Sequence, residues 1–134
     1  MTYVNAPIHD LLIRIKNAYM ARKTSVESVP FSNFKVKILD LLKQYEFIQH
    51  FDVKEDGIKK LIDITLKRVV NPINDVPNIK FFSKPSRPRY ISYKNITLVA
   101  GGKGIGIIST NQGIMPAHVA KQKKLGGELI AEIY

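Results

Sequence analysis

The segment from Val69 to Pro77 reads VVNPINDVP. Two prolines and two asparagines so close together remove backbone donors and favour turns, so neither a helix nor a paired strand is expected to cross it. The chain therefore has to be built from material on either side. At 134 residues and 45% hydrophobic content it can supply two small compact parts. The expected division is an N-terminal α/β domain over residues 1–70 and a C-terminal β-rich domain over residues 77–134.

Before the boundary, Pro7 sits where a first helical turn tolerates it, and Ile8, Leu11, Leu12, Ile15, Ala18 and Tyr19 recur at helical spacing. Arg14 and Asn17 fall on the other side, and Arg22 and Lys23 give the helix a basic C-terminal end. Arg14, Lys16 and Asn17 are equally well read as a solvated face or as RNA contacts. Val26–Pro30 reads as a strand. Ser32 is a helix cap, followed by a buried stripe at Phe34, Ile38, Leu41, Leu42 and Tyr45, widened by Val36 and Leu39. Phe47–Val53, the Asp56-Gly57 turn signal and the alternation of Ile62, Ile64 and Leu66 make a hairpin. The order is α-β-α-β-β.

Beyond the boundary the pattern is mainly that of strands: Ile79–Phe82, an exposed Tyr90–Tyr93, Ile96–Ala100, Ile105–Ser109 and a closing strand in which Leu129, Ala131 and Ile133 alternate with Ile130, Glu132 and Tyr134. One short lysine-rich helix follows Pro116. The fold class is α+β, with a mostly antiparallel C-terminal half. Gly101-Gly102-Lys103-Gly104 fails as a phosphate loop, because no Ser or Thr follows the lysine and the next element is a strand. Gly102, Gly104 and Gly106 fail as a dinucleotide fingerprint too, because the third glycine comes one place early and no helix follows. The segment reads as a hairpin turn with left-handed backbone.

Charge divides the two halves differently from hydrophobicity. The net charge is +10, yet the first 70 residues hold 12 bases against 8 acids, while Val76–Gly127 holds nine bases and no acid. A one-signed field of that kind suits a polyanion. Within it, Ser109-Thr110-Asn111-Gln112-Gly113 forms a polar turn whose short donors and glycine suit phosphate, with Lys121, Lys123 and Lys124 close behind. Tyr90 and Tyr93, interleaved with Arg87, Arg89 and Lys94, can stack on bases or riboses, although on a strand they would lie on opposite faces.

Catalytic patterns are missing. His9, His50 and His118 are far apart and none belongs to a metal-binding helix motif; Ser109 lacks a nucleophile elbow. With no cysteine there is no disulfide framework, thiol catalysis or Cys-based zinc site. No apolar run approaches the ~20 residues of a membrane span, so a cytosolic protein is expected, with no metal or cofactor. A nucleotide-using enzyme would need a phosphate loop in strand-turn-helix context. A DNA-binding regulator would need a base-reading recognition helix, which a short lysine-rich helix does not supply.

The run GIISTNQGIM from Gly106 to Met115, followed by Gly126-Gly127-Glu128, resembles the signature of the bacterial-type small-subunit ribosomal protein S-eight family. PIHDLLIRIKNA from Pro7, the stretch from Lys35-Val36 to Glu46-Phe47-Ile48, and Ser86-Arg87-Pro88 are similar to other segments of that family, in the same order. The resemblance implies a non-enzymatic ribosomal protein of two small α/β domains. It also implies docking on an irregular helix in the central domain of small-subunit ribosomal RNA, beside neighbouring ribosomal proteins, and in some bacteria repression of its own operon messenger RNA. By motif match, Ser109, Thr110, Asn111 and Gly113 enter the RNA minor groove, with Tyr93 and Glu128 in support. The chain departs from the family at His9, Ile13, Asn111-Gln112 and Arg89-Tyr90. Gln112 loses a charge that the family often has; Arg89-Tyr90 shifts charge toward the loop.

Overall fold

The computed structural model describes residues 5–70, 76–83 and 86–134. By contact pattern the chain divides into a unit of residues 10–77 and a second unit of residues 78–134 together with the N-terminal residues through His9. Residues 71–75 of the proline-rich segment, and Lys84 and Pro85 of the basic loop, lie outside the described residues. The fold is α+β, helix and antiparallel sheet mixed in the N-terminal half and mostly strands in the C-terminal half.

Helix α1 (Asn5–Met20) is followed by β1 (Ser25–Pro30), α2 (Asn33–Gln44), β2 (His50–Asp56) and β3 (Lys59–Thr65). The strands form an antiparallel sheet of order β1-β3-β2, with a register shift between Val26 and Val29. The apolar stripe of α1 is buried from Ile8 to Tyr19, and so are Ile62, Ile64 and Leu66. Ser32 caps α2, its hydroxyl accepting the Lys35 N–H at 3.2 Å. The predicted α2 stripe is narrower than its pattern suggested: Ile38, Leu39 and Leu42 are buried, whereas Phe34 is exposed. Strand β2 begins at His50 and not at Phe47, because the Phe47 N–H is already committed to the Leu42 carbonyl.

The three described α-helices end alike. Past α1, Lys23 N–H donates to the Ala18 carbonyl and Arg22 N–H to that of Tyr19; past α2, Phe47 donates to Leu42 and Glu46 to Lys43. The short helix α3 (Ala117–Gln122) ends with Leu125 donating to Ala120 and Lys124 to Lys121. Each is the paired hydrogen-bond motif that normally has glycine at its left-handed position. Here those positions are Arg22 (φ 58), Glu46 (φ 65) and Lys124 (φ 57). Arg22 and Lys23 thus lie past the end of α1 rather than in its last turn. Replacing Glu46 with glycine is expected to raise stability by up to ~1 kcal/mol, read from the midpoint of urea unfolding, by removing the Cβ clash of left-handed backbone.

The second sheet holds β4 (Ile79–Phe81), β5 (Tyr90–Ile91), β6 (Ile105–Thr110), β7 (Gly113–Pro116) and β8 (Gly127–Ile133). Strand β8 is its hub: β6 pairs along one edge, while β4 and β5 share the other end to end, all antiparallel. Strand β7 then pairs with β6. The predicted alternation of β8 does not hold, since Leu129, Ile130, Ala131 and Ile133 are all buried. Three further expectations are corrected here. The exposed strand over Tyr90–Tyr93 stops at Ile91, and Tyr93–Asn95 is a 3-10 turn capped by Ser92. Ile96–Ala100 is not a strand; Ile96 and Val99 are buried anchors of an extended loop, with Leu98 between them exposed. The glycine segment is left-handed at Gly101 and Gly102, as expected, but it opens from a 3-10 turn rather than joining two paired strands.

Candidate nucleic-acid interface

The Ser109–Gly113 segment is the tip of the β6–β7 hairpin. Ser109 faces Ile114 and Thr110 faces Gly113, leaving Asn111 and Gln112 as the exposed turn. The Thr110 hydroxyl donates to the Gly113 carbonyl at 2.9 Å and accepts the Gln112 N–H at 3.1 Å. Thr110 therefore shapes the turn more than it reaches outward. Gly113 has φ +115, a conformation that a side chain would strain.

Register sets what lies beside the turn. Ser109 is the cross-strand partner of Glu128 on β8, and Glu128 is in turn the partner of Tyr90 on β5. Direct partners in a sheet project to the same side, so Tyr90, Glu128 and Ser109 form a row across three strands. Two glycines make the row possible. A Cβ on Gly127 would run into the Ser109 carbonyl oxygen, and one on Gly126 would lie 2.8 Å from that of Ile91.

Glu128 is buried, and burial pushes its carboxyl above the ordinary range while a hydrogen bond with Ser83 works the other way. A raised folded-state pKa favours the protonated fold: the stabilisation is full below the unfolded value, about 4.3, and is lost as pH rises through the folded one. Glu128→Gln is accordingly expected to raise the unfolding midpoint at neutral pH, with the gain vanishing near pH 4. A urea series at both pH values checks it.

Ser83 has no signature in the sequence, since an isolated serine between aromatic and basic residues carries no signal. It is buried; its hydroxyl accepts the Arg89 N–H at 2.7 Å and donates to the Leu129 carbonyl at 2.8 Å, fastening the basic loop to β8. Arg87 and Arg89 are exposed, the latter with its guanidinium carbon 5.4 Å from the Phe82 ring centre. Tyr93 is half-buried against the cluster of Ile96, Ile108, Met115, Ala117 and Ala120, a supporting position. Lys121 donates to the Ile96 carbonyl at 2.7 Å, which commits one of its N–H groups to holding α3 in place; Lys123 and Lys124 are exposed. Arg14, Lys16 and Asn17 lie on α1 in the other unit, where Arg14 donates to the Glu27 carbonyl at 3.0 Å. His9 stacks on Phe81 with ring centres 4.0 Å apart, a packing role.

Among the described residues no cluster of His, Cys, Asp or Glu could hold a metal ion, and no helix is long and apolar enough to cross a membrane. The pattern of the family described as Ribosomal protein S8 matches residues 6–134. The chain belongs to that family. It is a ribosomal protein of the cytoplasm, structural rather than enzymatic. Similar relatives are the small ribosomal subunit protein uS8 of Lactobacillus delbrueckii subsp. bulgaricus, 43% identical over 96% of both chains, and that of Mycoplasma mobile, 40% identical over 98% of this chain and 97% of its own. The uS8 protein of Mycoplasmopsis pulmonis is 40% identical over the full length of both.

Proposed function

We propose that the chain is a primary ribosomal RNA-binding protein of the small subunit, docking on an irregular helix in the central domain of the RNA and supporting assembly beside neighbouring small-subunit proteins. The observation that carries this reading is the row Tyr90–Glu128–Ser109, which ends at an exposed Asn111-Gln112 turn inside a segment with nine bases and no acid. Short donors and one acceptor held by register suit the 2′-hydroxyls and base edges of a shallow RNA groove. The surrounding field supplies affinity through counterion release, without sequence preference. The same surface would repress the operon messenger RNA wherever that message folds into a similar irregular helix.

A titration against the central-domain RNA helix and a scrambled hairpin of equal length, at two salt concentrations, tests the reading. A preference of several kcal/mol that survives the higher salt is expected. Ser109→Ala should cost ~1 kcal/mol on the cognate helix and little on the scrambled one. Removing Lys123 or Lys124 should weaken both RNAs alike and flatten the salt slope by about one unit or less for each phosphate no longer neutralised. Equal binding of both RNAs that collapses with salt would leave only a basic surface.

A further inference from the structure

Strand β2 is an open edge of the first sheet, whose order is β1-β3-β2. It is seven residues long and contains no proline, glycine or register shift. Among the described residues the other edge strands are blunted or short: β1 shifts register and ends at Pro30, β7 ends at Pro116 after four residues, and β4 and β5 have three and two. A long regular edge is a template for another strand. We propose that β2 pairs antiparallel with β2 of a second copy of this chain, about a two-fold axis at Val53.

The phase of the ladder fixes that centre. Asp56 and Lys59 are register partners across the two-residue turn Gly57-Ile58, which makes them a hydrogen-bonded pair, so Lys54 and Asp52 also exchange bonds with β3. The N–H and C=O groups of Phe51, Val53 and Glu55 therefore point away from the sheet. The Phe31 N–H agrees with this phase: it donates to the carbonyl of Lys60, the partner of Glu55, on the far side of β3. With the axis at Val53, Val53 faces Val53 and Phe51 faces Glu55, so all three N–H groups of each copy meet a carbonyl of the other. An axis at Asp52 or Lys54 would present the inward groups. One at Glu55 would oppose two carboxylates, and one at Phe51 would leave Val53 to Asp56 beyond the other copy's strand.

Charge selects the same axis. His50, Asp52, Lys54 and Asp56 share one face of the strand. The Val53 axis sets Asp52 opposite Lys54 on both sides of the centre, and His50 opposite Asp56. These are the non-hydrogen-bonded positions, where side chains come closest and opposite charges stabilise the pairing. The Asp52 side chain is 71% exposed and that of Lys54 47% exposed, 3.0 Å from Asp63, so in the dimer Lys54 lies between two carboxylates. On the other face Val53 is 45% exposed although its β3 partner Ile62 is fully buried, and the second Val53 covers that open side. A self-complementary patch of this kind closes at two copies.

The test is sedimentation velocity on the full chain, freed of RNA with nuclease, from ~10 μM to ~1 mM in ~0.3 M salt, where repulsion between two chains of charge +10 is screened. The weight-average mass is expected to rise toward twice that of the monomer. Asp52→Lys and Lys54→Asp should each weaken association at least about tenfold, because each sets like charges opposite on both sides of the axis. Mixed one to one, the two variants restore opposite charges at both positions and should pair again. Val53→Pro removes the central N–H, which no β3 bond uses, so it should abolish the dimer and leave the far-ultraviolet circular dichroism unchanged. A wild-type chain that stays monomeric throughout, single charge variants that associate as well as wild type, or a mixture that does not pair would each overturn the proposal. The RNA-docking reading stands or falls separately, in the titration against the scrambled hairpin, because β2 holds none of the residues assigned to RNA.

Discussion

Replacing Gly127 with alanine is expected to destabilise the C-terminal sheet by at least ~3 kcal/mol, enough to lose a cooperative transition in a small unit. The added Cβ would meet the Ser109 carbonyl oxygen inside contact distance, the Ser109 carbonyl carbon at 3.0 Å and the Thr110 Cα at 3.1 Å. All three are backbone atoms of β6, so no side-chain rotation relieves the clash; either β8 slides or the β6–β8 pairing opens. Gly113 offers the contrast. Nothing lies within 4 Å of a Cβ there, so Gly113→Ala meets only the strain of its φ of +115. Circular dichroism during urea unfolding measures both, and a Gly127→Ala protein as stable as Gly113→Ala would mean that the strands are not as close as described. RNA affinity should follow, because opening this pairing separates Glu128 from Ser109.

The second large effect is expected at Tyr19. Its hydroxyl donates to the Phe47 carbonyl at 2.6 Å and accepts the Lys67 N–H at 3.1 Å, joining the end of α1 to two segments 28 and 48 residues away. Burial raises the pKa of the phenol, and the Lys67 N–H partly offsets this. Tyr19→Phe removes one oxygen and leaves a carbonyl and an N–H without their partner, so the expected cost is about 2 kcal/mol, more than a single exposed hydrogen bond would be worth. The midpoint of urea unfolding decides it. RNA affinity of the folded variant should be unchanged, because the loss falls in the unit of residues 10–77 and the hairpin turn belongs to the other.

Much of the fold could be read from local pattern. The α1 stripe is buried at each of its six predicted positions, Ser32 caps α2, and Gly57 turns left-handed at φ 66 between β2 and β3. What escaped depends on partners distant in sequence, or on residues doing work usually done by others. Helix ends are hard to place because Arg22, Glu46 and Lys124 stand where glycine would have marked the stop. Strand β7 hides in what looks like a turn, being four residues long and ending at Pro116. Ile96–Ala100 has the composition of a strand, yet no described strand offers it a ladder, and Leu98 is left 73% exposed. At the candidate interface, the turn and the tyrosines can be picked out by side-chain chemistry. Glu128 cannot, because an acid there acquires meaning only when the β6–β8 register sets it opposite Ser109. Ser83 has no signal at all: its value lies in an atom poised between Arg89 and Leu129, six and 46 residues away.

Strand β8 follows every strand that pairs with it, β4, β5 and β6 alike. During synthesis those strands emerge first and have no hub to pair with, so they wait as open edges while the helical first half, whose sheet is already complete by Thr65, folds ahead of them. Only when residues 127–133 have cleared the exit tunnel can the second sheet close. The Ser109–Glu128 pairing is thus a matter of timing as well as geometry: a nascent chain short of Glu128 already carries the nine bases of residues 76–127, while its β6 still lacks the strand that fixes the register of Ser109.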